Sequence, residues 1–222
     1  SKGEFSGFGF SGLHGKIPNF AADGTWERDT GTTDPDTGDA IFEDTPFPGA
    51  GKNTSANLFE VDAYFTRGDW SLFGQVSFGQ QKRAAIYNSD GQLRDARWWG
   101  LSGTAAYKIT PRLEGVLRAD YIDNKKNGGG LLGYSGDDKV NGIGRGLVPN
   151  ALGKYVDFAK GPSVGSNRWA LTLGMNYLYD ENTVVKFELR QDGASQPVFY
   201  DTKSSRYYKS NTLLGASVVV SF

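Results

Sequence analysis

The sequence predicts an all-β fold of about eight antiparallel strands, each with one apolar and one polar face. Apolar and polar residues alternate with a period of two over stretches of about ten residues, which is typical of a half-buried strand. Short turns and long loops alternate between these stretches, and no window carries apolar residues at helical spacing over three turns. These observations together indicate a sheet that winds up and down.

Eight stretches of the chain carry this alternation. In the segment from Trp70 to Phe78 the even positions are mostly large and apolar, whereas Gln75 and Ser77 occupy odd positions. The first stretch is ambiguous, because the glycines between Phe5 and Phe10 leave both of its faces open. The stretches cover residues 4–14, 57–66, 70–81, 97–108, 112–123, 167–179, 183–192 and 206–222.

The composition narrows the class of protein. The formal charge is -1, whereas nucleic-acid binders usually carry a basic excess, so we expect no nucleic-acid partner. With no Cys and one His, disulfides, thiol catalysis and zinc clusters are excluded. Gly reaches 31 of 222 residues, about twice the usual share of about 7%, but the 14% of aromatic residues argues against disorder. The length suits a single all-β domain spanning residues 1–222.

The connections between the strands predict the environment of the sheet. Tight turns at 67–69, 109–111 and 180–182 alternate with longer loops, of which 15–56 and 124–166 each exceed forty residues. Outer-membrane barrels have short periplasmic turns and long extracellular loops, and their tilted strands need about 9–11 residues. The sequence therefore predicts an antiparallel up-and-down transmembrane β-barrel in a bacterial outer membrane.

Aromatic residues bracket four of the strands, as expected where an apolar band meets lipid headgroups. The pairs are Trp70 with Phe78, Trp98/Trp99 with Tyr107, Trp169 with Tyr177/Tyr179, and Tyr207/Tyr208 with Phe222. They predict two aromatic girdles.

The end of the chain resembles known membrane proteins. Val218, Val220 and Phe222 alternate with smaller or polar residues, and this resembles the terminal strand of Gram-negative outer-membrane proteins, where it is the signal read by the barrel-assembly machinery. The hairpin Tyr107–Gly115 and the segment Gly128–Tyr134 look like porin sequence. Residues 57–222 are similar to the C-terminal half of phosphate-selective porins and related proteobacterial porins.

This resemblance implies a barrel of 16 or 18 strands, often trimeric, that carries small solutes by diffusion. The chain departs from the family in having about eight strands, so a fragment of a large barrel and a complete small barrel both stay open. Small residues on one face of three consecutive strands offer a smooth surface for a homo-oligomer such as a trimer. They are Gly74, Gly103, Ala105, Gly115 and Ala119.

The polar face of the strands is the predicted pore lining, because an Arg or Lys that faces lipid costs about 2–4 kcal/mol near the midplane. An eight-strand barrel would pack these side chains as a salt-bridge core, whereas a wider barrel would hold water between them. Acids and bases are mixed, so no charge selectivity is predicted. The residues are Glu60, Asp62, Tyr64, Arg112, Glu114, Arg118, Asp120, Arg168, Lys186, Glu188 and Arg190, with Gln75 and Thr104 on the same face.

The loops carry opposite charges. Residues 23–44 contain eight acids against one Arg, a net charge of -7, and residues 125–166 contain six bases against three acids, a net charge of +3. Asp34 to Asp39 has the carboxylate spacing of a calcium loop, but Thr45 stands where the bidentate Glu would be. An ordinary polar turn is therefore favoured over the alternative of a low-affinity calcium loop, and no metal site or cofactor is predicted.

The leading functional hypothesis is a porin for the passive diffusion of small hydrophilic solutes or ions, with the lipid bilayer and lipopolysaccharide as partners. His14 is the only histidine and no nucleophile motif is present, so the sequence predicts no enzyme. One alternative is a small closed barrel that acts in adhesion or as a structural anchor through its loops. Another is a soluble β-sandwich with a lectin-like binding role.

Overall fold

The computed structural model describes residues 4–18, 25–46, 53–86, 93–126, 148–149, 155–156, 166–195 and 197–222. The regular structure in these ranges consists of strands, and none of the described residues forms a helix long and apolar enough to cross a membrane. Most of the basic loop 125–166, including Gly128–Tyr134, lies outside the described residues.

Eight strands form one sheet, in which each strand pairs antiparallel with the next in the order β1-β4-β5-β6-β7-β10-β11-β14. The predicted all-β, antiparallel up-and-down fold is confirmed. No described residue pairs β1 with β14, so the sheet has two free edges and is not closed. Its strands are β1 (Phe5–Pro18), β4 (Asn53–Arg67), β5 (Trp70–Ile86), β6 (Leu93–Thr110), β7 (Leu113–Lys126), β10 (Arg168–Leu178), β11 (Thr183–Ala194) and β14 (Ser210–Val220).

Three small antiparallel hairpins are inserted between the strands of the main sheet. They pair β2 (Thr25–Thr33) with β3 (Ala40–Pro46), β8 (Val148–Pro149) with β9 (Tyr155–Val156), and β12 (Phe199–Asp201) with β13 (Arg206–Tyr208). The first two lie within predicted loops, whereas the third pairs residues of the predicted loop 193–205 with the start of the predicted strand 206–222.

The strand register divides the sheet into an apolar face and a polar face. Val61 lies opposite Val76, which lies opposite Leu101, and this cross-strand row continues through Tyr121 to Trp169. The neighbouring row is displaced by one residue on each strand, so it points to the other face. It consists of Asp62, Gln75, Ser102, Asp120, Ala170 and Asp192.

The register also assigns the faces of β1, which the sequence left open. Phe8 and Phe10 lie on the apolar face, 80% and 76% exposed, whereas Phe5 lies on the polar face and stacks on Tyr64 at 5.0 Å between ring centroids. Gly7 lies beneath Tyr64, and a Cβ there would lie 2.6 Å from the Tyr64 hydroxyl oxygen, so the tyrosine ring would have to move. Gly7 thus makes room for the ring of Tyr64 on the neighbouring strand.

Two predictions about the strands are wrong in detail. The last strand begins at Ser210 rather than at residue 206, because Arg206–Tyr208 folds back on Phe199–Asp201. For the same reason Tyr207 and Tyr208 do not belong to a girdle on β14. Trp98 is also absent from the girdle, because it lies on the polar face, 7% exposed, with its ring over Gly79.

The short turns are closed by local hydrogen bonds. Gly68 has φ +58° in the turn between β4 and β5, a conformation that Gly adopts without strain. Between β10 and β11, the Asn182 amide donates to the Asp180 carboxylate at 2.9 Å. This hydrogen bond, followed by one from the Thr183 side chain, lowers the pKa of Asp180. The glycine conformation and the Asp180 hydrogen bonds thus close two of the short turns.

Candidate functional site

The polar face brings most of the predicted pore-lining side chains onto one surface. Arg112 is the exception, because it lies in the turn between β6 and β7 at the short end of the sheet. The other predicted residues follow the strands. They are Glu60, Asp62 and Tyr64 on β4, Glu114, Arg118 and Asp120 on β7, Arg168 on β10, and Lys186, Glu188 and Arg190 on β11, with Gln75 and Thr104 between them on β5 and β6.

Hydrogen bonds link the polar side chains of neighbouring strands. The Gln75 amide donates to Glu60 at 2.7 Å. The Asp120 carboxylate accepts from the Ser102 hydroxyl at 2.6 Å and from Arg118 through Nε and Nη2, with Nε at 2.8 Å from Oδ2. Such charge-assisted, forked bonds fix the orientation of a carboxylate. The centre of this face is therefore an ordered hydrogen-bonded surface.

A second ion pair lies on β11. Arg190 Nε is 2.8 Å from Asp192 Oδ1, and Asp192 is 7% exposed. Asp192 is absent from the predicted pore lining, although it follows Arg190 by two residues in an alternating strand, and this spacing is the sequence signal for it.

The hairpin of β12 and β13 leans over the polar face. The Arg168 guanidinium carbon lies 5.9 Å from the centre of the Phe199 ring, within the range of a cation–π contact. Backbone bonds from Val198 N to Tyr208 O at 3.0 Å and from Ala194 N to Lys209 O at 2.8 Å anchor the hairpin. Phe199 thus forms a roof over part of the polar face.

Beneath this roof lies a cleft of about 360 Å³. Its walls combine ion-paired groups with apolar surface from Ile122, Ala170 and Phe199. Its polar lining consists of Gln75, Ser77, Ser102, Asp120, Arg168, Arg190 and Asp192. The arrangement provides fixed donors and acceptors beside an aromatic ring, which suits contact with a small polar solute.

The tip of this hairpin is held by Asp201. Its carboxylate accepts from the Ser204 hydroxyl at 2.7 Å and from the Lys203 amide at 3.0 Å. The Ser204 hydroxyl bond, followed by the Lys203 amide bond, lowers the pKa of Asp201. The charged form of Asp201 therefore stabilises the turn that carries Phe199.

Near the short end, the Asn176 amide donates to Glu114 at 2.8 Å. Lys186 lies beside this pair and forms no ion pair with any residue that the structure describes. This part of the polar face therefore has a cation available to a passing anion.

The calcium-like segment is a hydrogen-bonded turn at the tip of the β2–β3 hairpin. Asp34 Oδ1 accepts from the amides of Asp36 at 2.8 Å and Thr37 at 3.3 Å, and Gly38 has φ +76°. Within the described ranges, no three acidic or His side chains are grouped as metal ligands. The Asp34 carboxylate therefore accepts hydrogen bonds from backbone amides of its own turn.

A family model described as a protein of unknown function (DUF3138) matches residues 25–222. The chain belongs to this family. A search of curated proteins finds no match.

Among solved structures, the DUF3138 chain is similar to OmpT (in-vitro folded), an outer membrane protein of Vibrio cholerae, with a TM-score of 0.43 and 11% sequence identity. The alignment covers 96% of the DUF3138 chain and 49% of that structure, so the chain spans about half of its length.

The opposite face of the DUF3138 sheet is apolar and exposed. Its rows of Phe, Leu and Val side chains extend over all eight strands without a covering layer among the described residues. Exposed side chains on this face include Phe8, Phe59, Phe78, Leu101, Leu117, Leu173, Leu189, Leu214 and Val218. An apolar surface of this extent is covered by lipid or protein in a native environment.

Proposed function

We propose that the DUF3138 chain forms part of the wall of an outer-membrane channel through which small hydrophilic solutes or ions diffuse passively. The observation that carries this proposal is the division of one eight-stranded sheet into an apolar and a charged face. In a membrane barrel the lipid-facing and lumen-facing side chains alternate along every strand. A closed barrel also satisfies every backbone hydrogen bond that lipid leaves unmet, so the complete wall has to pair the free edges of β1 and β14.

The exposure of the charged side chains supports a water-filled lumen. The Arg118 and Arg190 side chains are 54% and 45% exposed although both are ion-paired. A dry salt-bridge core would have to bury such groups, and the loss of hydration often exceeds the Coulombic gain. The free edges of β1 and β14 also leave room for further strands in the wall.

The proposed mechanism is diffusion along fixed charges of both signs. A hydrated solute exchanges water hydrogen bonds for contacts with groups such as Arg118, Asp120 and Arg190, then leaves because no single contact is strong enough to trap it. Phe199 and its hairpin narrow the path beside Arg168. The mechanism needs no catalytic group, and His14 faces away from this surface, hydrogen-bonded to Asn57 at 2.6 Å.

The proposal includes assembly in the membrane. On the apolar face, Gly74, Gly103 and Ala119 lie in one cross-strand row, and a Cβ at Gly74 would meet no atom within 4 Å. This shallow depression fits a second copy, as in a trimer. Val218 and Val220 lie on the same face of β14, where the barrel-assembly machinery would read them together with Phe222.

The decisive experiment is single-channel recording of the detergent-purified protein in a planar bilayer. Steady ohmic steps are expected, and heat-modifiable mobility on a gel would show that the sample is a folded barrel. A silent bilayer from folded protein would contradict the channel and favour the closed barrel that acts in adhesion or as an anchor. A gel without any heat-dependent shift would contradict the membrane barrel itself.

A further inference from the structure

A groove crosses the apolar face at the long-loop end of β1, β4, β5 and β6. It has a volume of about 900 Å³. Its membrane-side boundary is an aromatic row in which Phe59 lies opposite Phe78 and Phe78 opposite Trp99. These three rings are 39–51% exposed. Such a row is expected where acyl chains meet headgroups.

The other boundary of the groove is polar. Two residues farther along each strand, His14 lies opposite Asn57, Asn57 opposite Gln80, and Gln80 opposite Arg97. All four side chains line the same groove as the aromatic row. The lining of the groove thus changes from apolar to polar over two residues of each strand. An amphiphile lying along the sheet would place its apolar part on the first row and its polar part on the second.

Arg97 is the cation that a ligand can reach. Its side chain is 60% exposed, and it forms a long ion pair with Asp95 at 3.9 Å. Asp95 accepts shorter bonds from Lys82 at 2.7 Å and from Gln80 at 3.1 Å. The exposed guanidinium can therefore turn towards a stronger anion, because its planar fork binds a phosphate through two parallel bonds. Asp123 also lines the groove, beside the aromatic row.

The neutral neighbours of Arg97 indicate what carries the phosphate. Asn57 contacts His14 through its amide oxygen at 2.6 Å, and Gln80 donates one amide bond to Asp95 at 3.1 Å, which leaves the other polar atoms of both amides and His14 Nε2 towards the groove. Amide and imidazole groups bind sugar hydroxyls and amides, whereas a simple phospholipid headgroup would need only the cation. Lys16, exposed on the same face one repeat farther along β1, adds positive charge.

We infer that this groove binds a phosphorylated glycolipid of the lipopolysaccharide class. Its phosphate lies on Arg97, its sugar contacts His14, Asn57 and Gln80, and its acyl chains cover Phe59, Phe78 and Trp99. The inference rests on the proposed outer-membrane location, with the long loops outside, but not on the passage of solutes.

The test compares two arginines on the same face. Arg97→Gln removes the phosphate contact, and Arg67→Gln removes an arginine of equal chemistry at the short end of β4, where it pairs with Glu4 at 3.0 Å. Binding of a short-chain lipopolysaccharide and of its dephosphorylated form is measured in detergent by native mass spectrometry. Inorganic phosphate and phosphatidylglycerol micelles serve as competitors.

We expect Arg97→Gln to weaken lipopolysaccharide binding about tenfold, and Arg67→Gln to leave it within about twofold. The dephosphorylated lipid should bind the wild type as weakly as the intact lipid binds Arg97→Gln. Equal losses in both variants, or no loss, would overturn the inference. Full competition by inorganic phosphate would indicate a simple anion site, and equal competition by phosphatidylglycerol a phospholipid site, and either would overturn it.

Channel recordings separate this result from the proposed function. Because Arg97 points away from the polar face, Arg97→Gln should keep the wild-type conductance and heat-modifiable mobility. Normal conductance with unchanged lipid affinity would contradict the glycolipid site alone. Arginine-dependent lipid binding by a protein that does not conduct would contradict the channel alone.

Discussion

Phe199, carried by a hairpin between the last two strands of the sheet, lies over Arg168 with 5.9 Å between its ring centre and the guanidinium carbon. This contact joins a loop to the charged face across which solutes are proposed to move. In the proposed channel, the hairpin would therefore be part of the path rather than part of the outer surface.

Phe199→Ala should enlarge the path. Loss of the ring removes the roof of the cleft and about 1–2 kcal/mol of cation–π stabilisation from the hairpin. We expect a higher single-channel conductance. Tyr200→Ala is the matched control, because Tyr200 packs on Tyr207 within the hairpin rather than on the sheet. Equal conductance in the wild type and Phe199→Ala would contradict this role.

Asp192→Asn should shift ion selectivity towards anions. The carboxylate lies 2.8 Å from Arg190 and lines the same cleft as Arg168, so its loss leaves two guanidinium charges less compensated. Reversal potentials in a salt gradient measure the shift. Asp180→Asn, in an exposed turn at the short end, should leave the reversal potential near its wild-type value; an equal shift in both variants would count against a local effect.

Ser204→Ala should raise the pKa of Asp201. Because the pKa of Asp201 is lowered in the folded protein, its carboxylate stabilises the hairpin fully at a pH above the unfolded-state pKa of about 3.9. This stabilisation is lost as the pH falls through the folded-state pKa. Carbon chemical shifts of the Asp201 carboxyl in micelles should show a midpoint closer to the unfolded value in the variant. Ser205→Ala controls for the turn, and identical midpoints in all three proteins would refute the role of Ser204.

Gly79→Ala should destabilise the sheet, whereas Gly74→Ala should not. A Cβ at Gly79 would overlap the ring of the buried Trp98, and a Cβ at Gly74 would lie in open space. Overpacking of this kind costs about 1–3 kcal/mol. The comparison requires denaturant unfolding in detergent, and equal midpoints for the two variants would mean that Trp98 moves aside freely.

Gly103→Trp and Gly115→Leu should dissociate the proposed oligomer without unfolding the barrel. A Cβ at Gly103 meets only a backbone oxygen at 4.0 Å, and one at Gly115 meets Ile109 at 3.4 Å, so the sheet itself can hold both side chains. Light scattering of the detergent complex gives the mass. Leu189→Trp, on the same face of β11, tests whether any added bulk has this effect. An unchanged mass in the two glycine variants would exclude this surface as the interface.

The faces of the sheet could be predicted because strand side chains alternate strictly, so one polar residue such as Gln75 fixes the direction of its neighbours. The pairing of Arg206–Tyr208 with Phe199–Asp201 could not be predicted, because an alternating pattern does not identify the strand with which a segment pairs. The position of Phe199 over Arg168 depends on that pairing and could not be predicted either. The groove at Arg97 needed the pairing of four strands before its polar row became visible.

The unpaired edges of β1 and β14 restrict the register of any strand that pairs with them. A joining strand, from either side, has to place apolar side chains level with Phe8 and Phe10 on one edge, or with Leu214 and Val218 on the other. A slip of one residue would turn every charge of that strand towards lipid, whereas a slip of two would preserve both faces. A register shift by an odd number of residues is therefore strongly destabilising in the membrane, whereas a shift by an even number changes the stability of the wall little.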